Sequence, residues 1–289
     1  MRSEKRLIVN ADDFGLSRGI NEGIILAHQK GILTSATLMA NMPAFDQAVD
    51  LARQNPGLGV GIHLNILRGA PVSPPERVPS LVDPEGRFWG RVSILIRKLV
   101  SRRIKAEDVE REWRAQLEKI LAAGIRPTHF DSEKHLHTWP LLFRTVLKLA
   151  KEYSIPRVRF IREYCWSGSP AQILKSLGIS LACSFMKKKI ARNGIMRPDH
   201  FSGICRSGRM TVRRWEKILA HLADGTTEVM VHPGFKTEEL DDLKGLAGSY
   251  YIHKFREQEL RALVDDELKS LVRASGIQLI NFGGLDKDG

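Results

Sequence analysis

Cysteine is nearly absent from this chain: Cys165, Cys183 and Cys205 are the three among 289 residues. Odd in number, widely spaced and without a CxxC pair, they argue against a disulfide framework and a structural zinc site, and they read as buried or incidental. Long apolar runs are missing as well. No stretch approaches the roughly 18 consecutive apolar residues that cross a bilayer. Met1–Arg6 leads into only a few apolar residues before charge returns, which argues against a signal peptide, and the expectation is a cytoplasmic protein. No internal repeat and no Ser/Gly linker divides the chain. Its basic charge comes without a finger, RNP or helix-turn-helix pattern, so nucleic acid is not an expected partner.

What is present is globular: 43% hydrophobic and 27% charged residues, in a length that suits one α/β barrel domain over 1–289. The net charge of +12 gathers in two clusters. One runs from Arg91 to Lys105, where Arg97, Lys98, Arg102, Arg103 and Lys105 alternate with apolar residues. The other holds Lys187, Lys188, Lys189, Arg192 and Arg197. The first has the pattern of a basic amphipathic helix, and a peripheral membrane contact through 91–105, at the inner membrane, is one reading. The plainer one, a helix packed on the body with a solvated basic edge, is favoured because interfacial helices are rare. A homo-oligomer is expected.

Short β-branched runs alternate with longer helical patterns, which is the signature of a parallel sheet wrapped by helices. Strands are expected near Leu7–Asp13, Ser35–Ala40, Gly59–Asn65, Pro127–Asp131, Arg157–Ile161, Glu228–His232 and Gln278–Phe282. Helices are expected at Arg18–Lys30, closed by Gly31 as a C′ residue, and at Glu107–Ala123, Trp139–Tyr153 and Lys254–Ala274. The tryptophans in these helices read as core. Segments near 68–105 and 168–208 break the rhythm and read as insertions; the first includes the Pro-rich stretch Arg68–Arg91. Seven or eight mostly parallel strands with intervening helices suggest a (β/α) barrel, whose chemistry sits at the C-terminal ends of its strands.

Those ends carry a coherent set of residues. The first strand finishes in Asp12–Asp13, the third at His63, the fourth in Asp131–Ser132–Glu133–Lys134–His135–Leu136–His137, and a late strand in His232–Pro233–Gly234. Adjacent aspartates at a strand end point to opposite faces of the pleat, so they meet different surroundings. That division suits a metal-dependent hydrolase, with one carboxylate on the ion and the other free to take a proton from water. Capping of the next helix, with Ser17, is the bland alternative. Asp, Glu and His converging on one point suit Mg²⁺, Mn²⁺ or Zn²⁺. Strand alternation would send Asp131, Glu133 and His135 to one face.

With these residues the chain resembles the YdjC/ChbG family of carbohydrate deacetylases. The resemblance rests on Leu7–Ser17, Gly31–Met39, Gly61–Asn65, Pro127–Ser132, His135–Leu136–His137 and His232–Pro233–Gly234. Within that family the chain is most similar to members associated with hopanoid biosynthesis. The resemblance implies a TIM-like (β/α) barrel of polysaccharide-deacetylase type and one divalent metal, usually magnesium. The implied reaction is hydrolysis of an N-acetyl group on an acetylated amino sugar or glycolipid. It matches Asp13 and His63 to metal ligands and Asp12 to the base. The third ligand of the pattern is a histidine, and here that position is Glu133, which binds through oxygen and favours harder cations; His135 or His137 is the alternative. The remaining expectations are His232 as oxyanion stabiliser or acid, His135 and His137 as substrate contacts, and Arg159 either orienting Asp12 or holding substrate oxygens. A membrane-surface protein of the hopanoid pathway, without deacetylase activity, is the competing reading.

Overall fold

The computed structural model describes residues 4–163, 170–205, 208–238 and 255–286. Its centre is β1 (Lys5–Phe14), buried from Leu7 onward on both faces, as a strand enclosed by helices must be. Along its first half it pairs with β6 (Gly225–Val231) and β7 (Gln278–Leu279). Farther along it pairs with β2 (Ser35–Leu38), which pairs with β3 (Gly59–Leu64) and that in turn with β4 (Phe130–Ser132). On the other side β6 pairs with β5 (His200–Ser202). The order is β4-β3-β2-β1-β6-β5, with β7 on β1, and every pairing is parallel. The sheet is a parallel half-barrel of TIM-like (β/α) type. The segment after Pro156 runs beside the β4 edge, with Val158 bridged to Phe130 and Arg157 bridged to Met196.

The helices follow the expected pattern with informative departures. α1 (Arg18–Lys30) is capped by Ser17, whose hydroxyl accepts from the Ile20 N–H. Gly31 closes it with φ −122°, outside the left-handed region expected of a C′ glycine. Its need is steric: a Cβ there would lie 2.2 Å from the Leu263 carbonyl oxygen. α2 spans Phe45–Gln54, α3 Val92–Val100 and α4 Ala106–Ala122. α5 (Pro140–Glu152) starts with proline in its first turn, where the missing N–H costs nothing. α6 covers Pro170–Arg192 and α7 Val212–Ala220. The run expected as one helix to Ala274 is two, α8 (Phe255–Val264) and α9 (Asp266–Ala274), because Asp265 leaves helical geometry and its carboxylate caps α9. Lys254 lies outside the described residues.

Three further expectations change. The segment 168–208 is not an irregular insertion, since it supplies α6 and strand β5 to the sheet. Arg157–Ile161 forms single bridges in place of a regular strand. Cys205 is disulfide-bonded, so it is not incidental; proximity in the fold is invisible in linear spacing. Cys183 is free and buried, and Cys165 lies outside the described residues. Trp113 of α4 and Trp215 of α7 are fully buried, as core tryptophans. α3 buries Leu95 and Leu99 against the core. Among the described residues no helix is long and apolar enough to cross a membrane.

Candidate metal centre

The end of β1 is irregular where its two aspartates sit. Ala11 pairs with Ala36 but Phe14 with Leu38, so β1 carries one extra residue, a bulge, across Asp12 and Asp13. Asp13 takes φ +70°, a left-handed conformation that Asp tolerates better than most residues. The turn is pinned: the Leu16 N–H donates to the Asp13 carbonyl at 3.1 Å, and the Gly15 N–H to Asn21 Oδ1 at 2.7 Å. The bulge and the positive φ send the two carboxylates to different partners. Asp12 receives a two-pronged grip from Arg159, Nη1 to Oδ2 at 2.9 Å and Nη2 to Oδ1 at 2.7 Å. Asp13 pairs with Arg256 of α8.

His63 projects from the end of β3. Its Nδ1 lies 2.7 Å from Asp131 Oδ1 of β4, and its Nε2 3.6 Å from Glu133 Oε2. Glu133 pairs with Arg68 and lies 3.5 Å from the Lys134 ammonium. The chain stops being a strand at Ser132, so pleat alternation does not govern the side chains beyond it. Glu133–Thr138 is a tight turn with Lys134 at φ +53° and His135 at φ +61°. Such positions cost about 1–3 kcal/mol each and gather at functional sites.

Arg159, wholly buried, is held by three acids. Besides Asp12 it contacts Asp131 Oδ2 at 2.8 Å and donates from Nε to Glu228 Oε1 at 2.7 Å. Its guanidinium is therefore spent on acids inside the protein. Burial alone would raise the Asp12 pKa, but the Arg159 charge and hydrogen bonds hold it far below the usual carboxylate range. For Asp13 burial is likewise overcome by Arg256, and for Glu133 by Arg68 and Lys134; both are lowered. The His63 imidazole is raised well above its ordinary value, because Asp131, Glu133 and Asp12 outweigh burial. His232 goes the other way, down to about 4, chiefly through burial against the pull of Asp12 and Asp13. Burial pushes Glu228 up to about 8 despite Arg159.

Two overlapping triads thus form, Asp13–His63–Glu133 and Asp12–His63–Asp131. In each, one ligand atom per residue lies within 4.8 Å of the others. All of these side chains are buried, and their donor chemistry is that of a site for a divalent ion. His232 stands close enough to feel the charge of both aspartates. His135 meets the Phe201 ring edge-on at 6.3 Å. His137 belongs to neither triad: its Nδ1 lies 2.7 Å from Ser132 Oγ and its Nε2 3.2 Å from the Arg159 carbonyl, so it ties the turn to the neighbouring segment.

Several partners escaped the sequence reading. Arg68 and Arg256 reach the acids from 65 and 243 residues away, and no local pattern announces such a contact. Glu259 accepts the His232 backbone N–H at 2.6 Å from α8. Glu228 did leave a signal, as a lone acid directly before the apolar run Val229–Val231 of β6.

Fold and site together define a parallel α/β half-barrel with a buried acid and histidine cluster at the C-terminal ends of its strands. The sequence pattern of the YdjC-like proteins matches residues 6–274, and the chain belongs to that family. A carbohydrate deacetylase of Brevibacillus brevis is 41% identical over 281 residues, covering 97% of this chain and 99% of its own. One from Geobacillus stearothermophilus is 37% identical over 276 residues, covering 95% and 96%. A solved Enterococcus faecalis structure, named for cellobiose-phosphate cleavage, superposes with a TM-score of 0.76 at 29% identity, covering 97% of this chain and 98% of that one.

Proposed function

We propose that this protein is a metal-dependent hydrolase that removes the N-acetyl group from an acetylated amino sugar or glycoconjugate. The observation that carries the reading is the buried Asp13–His63–Glu133 triad beside an arginine-clamped Asp12, in a chain whose full-length relatives are named carbohydrate deacetylases.

Asp13, His63 and Glu133 would hold the ion. In the other triad Asp12 gives both oxygens to Arg159, and Asp131 is committed to His63 Nδ1 and Arg159. An imidazole whose Nδ1 faces a carboxylate is oriented to offer Nε2 outward, so Asp131 is read as the residue that aims His63. When bound, the ion supplies Lewis acidity toward the acetyl carbonyl and toward water. Two carboxylates and one imidazole favour Mg²⁺, with Mn²⁺ and Zn²⁺ as alternatives.

Asp12 is the base. Arg159 keeps it ionised across the physiological range and fixes its direction. Asp12 would take the proton of the attacking water as its oxygen bonds to the acetyl carbon, and would return that proton to the amine nitrogen as the C–N bond breaks. His232, held neutral by burial, donates its ring N–H to the developing oxyanion, as a neutral imidazole can. His135, on the rim turn, contacts the sugar. The test is an acetate-release screen of the purified protein over N-acetyl amino sugars and glycolipids. Release from one class, lost in Asp12→Asn, is expected; no release from any of them contradicts the reading.

A further inference from the structure

α6 has two apolar faces. Ser176, Cys183, Met186 and Ile190 point inward and are buried. On the opposite side Leu174, Leu177, Leu181 and Phe185 are 73%, 53%, 60% and 72% exposed. Spacings of three and four residues set these four on one stripe, about three turns long. The same spacing continues from Phe185 to Lys188 and Arg192, both exposed. The outward stripe is thus apolar along most of its length and cationic at its C-terminal end, with exposed Lys187 beside it. Single exposed leucines are ordinary, but a contiguous row ending in phenylalanine marks a surface that meets something.

Charge decides what it meets. α6 carries no Asp or Glu in its 23 residues. A second copy laid antiparallel would put Lys188 and Arg192 beside leucines with no acid to receive them, and a parallel copy would oppose like charges. An anionic lipid surface satisfies both parts, because apolar side chains enter the headgroup boundary while lysine and arginine stay at the phosphates. We propose that α6 docks the protein on an anionic bilayer through Leu174, Leu177, Leu181 and Phe185, with Lys188 and Arg192 on the headgroups. α3, the helix whose sequence first suggested such a contact, turns Leu95 and Leu99 into the core instead. α6 packs against the Glu133–Thr138 turn, so the docking stripe lies across the helix from its packed face.

The test is co-sedimentation of the full chain with phosphatidylcholine vesicles, with and without phosphatidylglycerol. Binding to the anionic vesicles alone is expected. K188Q/R192Q should weaken it roughly thirtyfold at low salt, through the loss of two cations at the headgroups. L177Q/L181Q/F185Q should abolish it. These side chains are exposed, so both variants should keep the wild-type melting temperature and the wild-type acetate release from a soluble substrate; failure of the catalytic reading would leave the binding result standing. Absence of binding to anionic vesicles overturns the proposal. So does undiminished binding by the apolar variant, or a dimer in sedimentation equilibrium that this variant dissolves while vesicles are ignored.

Discussion

Asp131 donates nothing and yet organises the most: it meets His63 Nδ1 on one oxygen and Arg159 on the other. If it aims His63 at the ion, Asp131→Asn should lower divalent-cation affinity about 10–100-fold, measured by calorimetric titration. An unchanged affinity would return Asp131 to the ligand set. Glu228 carries a pH signature. With its folded value near 8 against an ordinary 4.5, the folded chain holds a proton that the unfolded chain has released, so stability falls as pH rises through that window. Below about 6.5 this is opposed by His232, held near 4, and His137, held near 3, since the unfolded chain protonates these first. From pH 6.5 to 8 the decline stands clear, with Glu259, near 7, and His63 acting in the same sense. Glu228→Gln should make urea-measured stability less steep there, by up to about 1.4 kcal/mol per pH unit. Asp12, Asp13 and His63 stood out in the sequence because each lies at the end of an apolar strand, whereas Glu133 follows the short, polar β4 and was singled out by the family pattern around it. Their guanidinium partners were not legible, because a contact across 243 residues has no local trace.

At the level of elements, glycines separate packing from propensity. A methyl on Gly31 would meet backbone oxygens of Leu263 at 2.2 Å and Ala27 at 2.7 Å, which cannot swing aside. Gly31→Ala should destabilise by about 1–3 kcal/mol through overpacking. Gly178, inside α6, meets nothing within 4 Å, and Gly178→Ala should be neutral or stabilising by up to about 1 kcal/mol; thermal melts of the two variants compare them directly. The main strands were readable because Leu7–Val9 or Val60–Ile62 is apolar and β-branched. β5 was not, since His200–Ser202 is three residues long and largely polar, and its pairing with β6 is decided by tertiary contact. The break at Asp265 was hidden because apolar spacing continues across it, while its capping carboxylate acts on only two N–H groups.

Over the whole molecule, β1, β3 and the turn after β4 bring together residues 12 to 133, while residues 159, 232 and 256 close the site from the far half of the chain. The site therefore exists only in the completed fold, and near-complete coverage of the Brevibacillus brevis relative, 41% identical, means that both halves are shared. In the proposed reaction a divalent ion on Asp13, His63 and Glu133 is required for deacetylation. The most direct measurement is metal content and acetate release by one preparation, first as purified, then stripped by chelator, then resupplied with Mg²⁺, Mn²⁺ or Zn²⁺, with His63→Ala in parallel. Activity should vanish on stripping, return with at least one of the three ions, and never appear in His63→Ala. Full turnover by the metal-free protein would contradict that requirement.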